Sequence, residues 1–171
     1  MGPHTKILKE LVAGNVDFIL GGGVACVLHG VERVTMDVDV AVHMESANWD
    51  RLVRVMSKMG LLPRAPIRPE ALLDPEVRQA MVKEKQALVF TFIHPDEPSL
   101  QLDVFLRPEL SYESLKTHAD WMELTDIRLM ILSPSKLLEL KKGIQPARPK
   151  DLLDIAVLET KVKKDERNYF F

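Results

Sequence analysis

The amino-acid sequence predicts an α/β (α+β) fold, a mixed and mostly antiparallel sheet flanked by helices, with further helices towards the C-terminus. Three patterns support this prediction. Short β-prone runs alternate with amphipathic helical segments through the first sixty residues. Two apolar runs, ALVFTFI at 87–93 and LQLDVFLR at 100–107, flank HPDEPS and predict an antiparallel hairpin. Beyond residue 133 the apolar residues recur at helical spacing.

The N-terminal third of the chain predicts helices and strands in alternation. In order, these are a helix over 5–13, the strand VDFIL at 16–20, a helix over 24–29 ended by Gly30, the strand VTMDVDVAV at 34–42, and a helix from 47 to about 60 capped by Ser46. Each strand is short and apolar, and each helix carries an apolar stripe that can pack on the sheet.

The remaining elements are less regular. Residues 62–86 contain four prolines and predict an insertion of irregular chain and short helices beside the sheet. After the hairpin we expect a weak helix over 112–118, one or two strands over 121–132, a helix from Ser133 to Gly143, and a last helix opened by Pro149, with 165–171 as a loosely ordered tail. Together they form a single domain over 1–171, with a core at about 15–132 and a helical part at 133–171.

The composition excludes several classes of protein. Hydrophobic residues make up 46% and charged residues 28%, which is typical of a globular chain. The net charge of -2 gives no global argument for binding nucleic acid or an anionic membrane. No apolar run approaches the roughly 20 residues that span a bilayer, and the N-terminus lacks a signal core. We therefore expect no membrane association and a cytoplasmic location.

Asp37 and Asp39 carry the strongest local signal. They alternate with Val38, Val40 and Val42, so one strand face is apolar and the other carries two carboxylates. Two such carboxylates can converge on a hard divalent cation. The alternative for an isolated D-x-D is a solvated strand face.

Asp103 is the one acid in the apolar strand LQLDVFL. The alternative for such a residue is a solvent-facing position. If its strand lies beside that of Asp37 and Asp39, however, three carboxylates gather at one place. Because unpaired carboxylates repel one another, such a cluster predicts bound cations.

Gly22 and Gly23 lie where the first strand meets the next helix, so their backbone N–H groups can approach an anion. The alternative is a tight turn with close packing. Arg33 and Thr35 just precede the two acids and could be ordinary strand-edge residues.

The stretch GGGVACVLHGVERVTMDVDV at 21–40 resembles the signature of the DNA polymerase β-like nucleotidyltransferase superfamily. The fuller pattern G-G-x-A-x-x-x-H-G-x-x-R-x-T-x-D-x-D resembles its small bacterial branch, which includes the AbiEii-type toxins. The matching residues are Gly22, Gly23, Ala25, His29, Gly30, Arg33, Thr35, Asp37 and Asp39. Asp103 resembles the third carboxylate, and Lys136 and Lys150-Asp151 resemble downstream positions. The likeness covers residues 18–158, except for the segment 62–86, which is unmatched. Much of the superfamily has serine where this chain has Gly23.

The resemblance implies a nucleotidyltransferase palm fold and a metal-dependent enzyme that moves an NMP from an NTP to a hydroxyl acceptor. Asp37, Asp39 and Asp103 would hold Mg²⁺ (or Mn²⁺) and act in catalysis. The implied nucleotide- and phosphate-binding residues are Gly22, Gly23, Arg33, Thr35, Lys136, Lys150 and Asp151, with Arg148 as a further candidate. Asp151 is expected to contact base, ribose or Lys150, and Asp154 to be exposed. Solvated helix faces are the alternative for the lysines.

The acceptor is not specified by the sequence, and RNA (tRNA included), protein and small molecules stay open. Basic residues over 136–167 interleave with acids, which favours a solvated helical face over an RNA contact. The resemblance adds a partner protein in a toxin–antitoxin pair. The rival from another class is a catalytically silent nucleotidyltransferase fold that binds a nucleotide or a protein. A third candidate is a metal-dependent phosphohydrolase.

Overall fold

The structure, a computed structural model, describes residues 2–170 and confirms the predicted fold class; Met1 and Phe171, which the predicted domain includes, lie outside the described residues. One sheet contains seven strands: β1 Phe18–Gly21, β2 Val38–Val42, β3 Leu62–Pro63, β4 Val89–Ile93, β5 Gln101–Phe105, β6 Ala119–Leu124 and β7 Ile127–Leu132. Seven α-helices flank it: α1 Pro3–Ala13, α2 Gly22–Leu28, α3 Ser46–Lys58, α4 Pro75–Lys85, α5 Tyr112–Leu115, α6 Pro134–Lys142 and α7 Pro149–Tyr169. Short 3-10 turns occur at Pro69–Leu73, Pro108–Leu110 and Lys116–His118.

The strand order in the sheet is β3-β4-β5-β2-β1-β7-β6. Four neighbouring pairs are antiparallel, including the predicted β4–β5 hairpin, and two are parallel, β1–β7 and β2–β5. The sheet is therefore mixed and mostly antiparallel, as predicted. Because β2 lies at its centre between β1 and β5, residues far apart in sequence meet beside the D-x-D motif.

The two faces of β2 have different environments. Val38 and Val40 are fully buried, and Val38 lies in register with the equally buried Leu102 of β5. Trp49 of α3 covers this face, with its ring centroid 6.4 Å from that of Phe92 in β4. Hydrophobic burial fixes the register of β2, because a slip by one residue would turn the valines out of the core. The carboxylates of the motif consequently face the other side.

Helix boundaries mostly follow the predictions. Ser133 caps α6, since its hydroxyl accepts the N–H of Lys136 at 3.3 Å. The predicted cap at Ser46 is wrong. Glu45 caps α3 instead, because its carboxylate accepts the N–H groups of the two residues after Ser46, each at 3.1 Å. α2 begins at Gly22, two residues earlier than predicted.

Residues 62–86, predicted as irregular chain and short helices beside the sheet, contain a 3-10 turn and α4 but also β3. Leu62 and Pro63 pair with the far end of β4. A proline is tolerated there because β3 is an edge strand. The first residues of this segment thus extend the sheet.

α6 and α7 pack against each other, and α6 also contacts α2. α7 is helical as far as Tyr169, so the tail expected over 165–171 is wrong for residues 165–169, while Phe171 is outside the described part. The physical reason is the absence of glycine and proline between Lys150 and Tyr169. Within residues 2–170 no helix combines the length and apolar character that crossing a bilayer requires.

Candidate active site

Strand register brings three carboxylates to one level of the sheet. Asp39 of β2 lies opposite Asp103 of β5 in their parallel pairing, and Asp37 lies immediately before β2. Oxygens of all three carboxylates lie within 4.8 Å of one another. On the other side of Asp39, Gly21 is in register with it, so the start of α2 lies beside the cluster. The structure thus brings together the three residues that the sequence proposes as metal ligands.

The cluster has no cationic partner: among residues 2–170, no Lys or Arg forms a salt bridge with any of the three carboxylates. Burial, followed by the charges of Asp37 and Asp103, raises the pKa of Asp39 to about 7. Burial also raises the pKa of Asp103, against hydrogen bonds from Thr91 and Gln101. A divalent cation would relieve this repulsion. Because the donor atoms are all carboxylate oxygens, the residues fit Mg²⁺ or Mn²⁺.

The glycine pair is required by close packing against the acidic strand. Gly22 has a φ of +59°, and a Cβ there would lie 1.9 Å from Asp39 Oδ2. A Cβ at Gly23 would lie 2.5 Å from Thr35 Oγ1 and 2.9 Å from Arg33 Nη2. The backbone N–H of Gly23 donates to Asp39. A serine at position 23 would force Thr35 and Arg33 to move, so the packing at this position favours glycine.

Replacing Gly22 with alanine should therefore damage both folding and the acidic cluster. The left-handed backbone alone costs about 1–3 kcal/mol in a non-glycine residue, and the new Cβ would also displace Asp39. Gly30→Ala is the matched control, because Gly30 also has a positive φ, +104°, but a Cβ there meets no atom within 4 Å. We expect both variants to melt earlier and only Gly22→Ala to lose Mn²⁺ affinity in a calorimetric titration. Equal Mn²⁺ affinities would contradict the packing argument.

A cleft of about 430 Å³ is lined by Asp37 and Asp39 of the cluster but not by Asp103. Eight of the residues proposed from the sequence line it: Gly22, Gly23, Arg33, Thr35, Asp37, Asp39, Arg148 and Lys150. Its other polar lining residues are Arg107 and Lys141, and the apolar remainder comprises Leu88, Val89, Phe105, Leu110, Leu137, Leu140 and Ile144. Lys136 is not among the lining residues, and its ammonium pairs with Glu139 of the same helix at 2.8 Å.

A buried ion-pair network joins the cleft to the C-terminal helices. Asp154 of α7 accepts hydrogen bonds from Arg33 Nε at 2.6 Å and Nη2 at 3.0 Å, and its Oδ2 lies 2.9 Å from Lys141 Nζ. Asp151 pairs with Arg148 Nε at 2.7 Å and with Lys141 Nζ at 3.3 Å. Burial alone would raise the pKa of Asp154, but the hydrogen bonds from Arg33 and Lys141 outweigh it and lower that pKa. Hydrogen bonds from Arg148 hold the pKa of Asp151 below its usual range.

Two expectations fail at this network. Asp154, expected to be exposed, is fully buried, and Lys141, counted within a solvated basic tract, is only 8% exposed and lines the cleft. Asp151 is also fully buried, and its contacts are made with cations other than Lys150. Helical spacing indicates that Lys141 is buried, because it follows the buried Leu137 by four residues and lies on the same face of α6.

Solved structures similar to this chain are nucleotidyltransferases. A lincosamide antibiotic adenylyltransferase, LnuA with lincomycin bound, superposes with a TM-score of 0.61 at 13% identity, over 92% of this chain and 94% of that one. The antibiotic-resistance factor ANT(2'')-Ia gives 0.60 at 15% identity, over 94% and 82%. An antigenic nucleotidyltransferase-like protein from Paracoccidioides brasiliensis gives 0.57 at 17%, over 91% and 72%. At these identities the likeness shows the nucleotidyltransferase fold alone. No family model and no curated protein matches the sequence.

Proposed function

We propose that this protein is a Mg²⁺- or Mn²⁺-dependent nucleotidyltransferase that moves an NMP from an NTP to a hydroxyl group of an acceptor. The observation that carries the proposal is the convergence of three carboxylates within 4.8 Å, with no cationic partner among residues 2–170, beside a glycine pair in a nucleotidyltransferase fold. A structural role for the carboxylates would not account for it, because ionised together they destabilise the folded chain.

Asp37, Asp39 and Asp103 would hold the divalent cations, which when bound supply positive charge at the α-phosphate and lower the pKa of the attacking hydroxyl. The chain's own cations would bind the rest of the triphosphate. Lys150 and Arg148 line the cleft, as does Lys141. In this proposal Lys141 takes the place of Lys136, because Lys141 lines the cleft and Lys136 does not. These preplaced charges would stabilise the charge that develops on the leaving phosphates.

In the transfer, the acceptor oxygen bonds to the α-phosphorus, the bond from that phosphorus to the bridging oxygen breaks, and pyrophosphate leaves. The proton of the hydroxyl passes to solvent water. Asp103, the most buried of the three carboxylates, would help to hold the cation that orients the acceptor hydroxyl.

Three classes of acceptor enter the proposal. RNA, protein and small molecules are all left open by the sequence, and the resemblance adds a role in an AbiEii-type toxin–antitoxin pair in the cytoplasm. The neighbours favour a small molecule, since one is an adenylyltransferase of lincosamide antibiotics with lincomycin bound and another is an antibiotic-resistance factor. The apolar part of the cleft lining, with Leu88 55% exposed, favours a small molecule with an apolar face.

Incubation with each α-³²P-labelled NTP and Mg²⁺ or Mn²⁺ tests the proposal. Total cellular RNA, protein extract and a small-molecule extract are offered as separate acceptor pools. We expect one NTP to label one pool, with stoichiometric release of pyrophosphate. The labelled pool identifies the acceptor class. If the protein belongs to a toxin–antitoxin pair, the partner protein that co-purifies with it should inhibit the labelling.

The control is the double variant Asp37→Ala/Asp39→Ala, compared with Asp50→Ala at an exposed position of α3. The double variant should lose both labelling and metal-dependent NTP binding in calorimetry, while the α3 variant keeps both. NTP binding without labelling of any pool would favour the catalytically silent binding protein. Release of orthophosphate instead of pyrophosphate would favour the phosphohydrolase.

A further inference from the structure

We propose that Thr91, Gln101 and Arg64 position the carboxylate of Asp103, so that its Oδ2 atom is the one directed to the metal. This inference rests on the proposed function, because it concerns the geometry of the proposed metal site. It also assigns a role to the segment 62–86, which supplies Arg64.

Thr91 is the first of these residues. It lies directly opposite Asp103 in the β4–β5 hairpin, so both side chains project from the same face of the sheet. The Thr91 hydroxyl donates to Asp103 Oδ1 at 2.7 Å, and the two side chains are 9% and 6% exposed. A buried hydrogen bond of this length restricts the rotation of the carboxylate about its side-chain torsions.

Gln101 is the second. It precedes Asp103 by two residues in β5 and therefore shares its face. Its Nε2 lies 3.1 Å from Asp103 Oδ1 and 3.2 Å from Oδ2. Oδ1 thus accepts the short hydrogen bond from Thr91 and one from the Gln101 amide, whereas Oδ2 accepts only the longer hydrogen bond from that amide. The less engaged oxygen, Oδ2, is the one available as a ligand.

Arg64 is the third and acts through Gln101. Arg64 Nη2 donates to Gln101 Oε1 at 3.0 Å, so the amide must turn its NH₂ group towards Asp103. The backbone N–H of Arg64 donates to the carbonyl of Thr91 at 2.9 Å, which fixes the start of the 62–86 segment to β4. The three residues therefore form one connected hydrogen-bond network around a single carboxylate.

The charges of this network suit a metal ligand. Thr91 and Gln101 are neutral donors, so they hold Asp103 without forming a salt bridge that would compete with a cation. The guanidinium of Arg64 stays one side chain away. Groups that orient a metal-ligating carboxylate in this manner commonly change metal affinity by 10- to 100-fold when removed. Thr91, Gln101 and Arg64 are positioning residues and do not touch the reacting atoms.

Mn²⁺ titration followed by the electron paramagnetic resonance of the free ion tests the proposal without relying on activity. Thr91→Val keeps the shape of the side chain and removes the donor, whereas Thr91→Ser keeps the donor. We expect Thr91→Val and Gln101→Leu to weaken Mn²⁺ binding by about 10-fold or more, Arg64→Met to weaken it by a smaller factor, and Thr91→Ser to restore it. Thr117→Val, at an exposed position, should bind as the unmodified protein does.

The results distinguish the possible failures. If the unmodified protein binds Mn²⁺ and Thr91→Val binds it equally well, the positioning role is wrong and the proposed function stands. If the valine and serine variants lose affinity equally, in step with their melting temperatures, Thr91 is structural and the inference fails. If the unmodified protein binds no Mn²⁺, the proposed function fails and the inference fails with it. Where labelling is measurable, Thr91→Val should raise the KM for Mn²⁺ and leave the KM for NTP at saturating Mn²⁺ unchanged.

Discussion

Replacing Asp39 with asparagine should abolish the proposed nucleotidyl transfer and, in the absence of metal, make the protein more stable. The side chain keeps its shape but loses the charge that the cation needs, so we expect labelling to fall by about a thousand-fold or more. The same charge is costly in the metal-free fold, because Asp39 is half-buried beside Asp37 and Asp103 and its pKa is raised to about 7. The ordinary pKa of an aspartate is 3.8. Removing the charge of Asp39 should therefore raise the free energy of unfolding at pH 8 by up to about 4 kcal/mol.

The sign of the pH dependence follows from the same pKa. Between the ordinary pKa of 3.8 and about 7, the folded protein keeps the proton on Asp39 while the unfolded chain has lost it. The contribution of this residue to stability therefore falls as pH rises through that interval. The metal-free protein should melt at a higher temperature at pH 6 than at pH 8. Asp39→Asn should reduce this difference, and saturating Mg²⁺ should reduce it in the unmodified protein.

Scanning calorimetry in EDTA and in Mg²⁺ at both pH values measures these effects, and the labelling assay measures activity. Asp50→Asn is the matched control. Because Asp50 is exposed on α3, this substitution should change neither the stability nor the labelling activity. An Asp39→Asn protein that still transfers nucleotide, or one that is less stable than the unmodified protein at pH 8 without metal, would overturn the assignment of Asp39.

Replacing Asp154 with asparagine should cause the largest loss of stability. Asp154 is shared by Arg33 and Lys141, whose side chains are themselves only 9% and 10% exposed. Removing the shared carboxylate leaves two buried cations short of a partner, and breaking a buried pair in this way costs about 3–5 kcal/mol. The melting temperature should fall by roughly 10 °C. NTP affinity should fall too, because both cations line the cleft.

The chain provides a close control for this experiment. Glu159 lies on the same helix and pairs with Lys142 of α6 at 2.9 Å, but both side chains are largely solvent-accessible. Glu159→Gln should cost less than about 1 kcal/mol, because exposed ion pairs contribute little. Urea denaturation of the two variants gives the comparison. If Asp154→Asn costs no more than Glu159→Gln, the buried network does not hold α7 to the loop that carries Arg33.

The parts of the fold that could be predicted from the sequence depend on local patterns. The alternation of valines and aspartates at 37–42 identifies a strand with one buried face, and Pro134 after Ser133 identifies the start of a helix. The cap at Glu45 was missed because two adjacent residues can each cap α3, and local pattern does not choose between them.

The parts that could not be predicted depend on contacts between distant segments. Asp103 lies close to Asp39 because β2 pairs in parallel with β5. The sequence pattern identifies both strands but does not specify that they are neighbours. Lys141 and Asp154 appear among interleaved charges that are typical of a solvated face, and only the docking of α6 on α7 shows that they pair. The crowding of Gly23 by Thr35 likewise appears only once the loop is folded.

The interior position of β1 in the sheet affects how the chain can fold while it is being synthesised. As the protein leaves the ribosome N-terminus first, the strands up to β5 can already assemble in the order β3-β4-β5-β2-β1, with the three aspartates in place. The free edge of β1 then carries Ile19 and Leu20 until β7 arrives to pair with them. An exposed apolar edge of this kind favours aggregation. Chains truncated before residue 127 should therefore contain the acidic cluster yet be insoluble, so that the last strands protect a site to which they contribute no ligand.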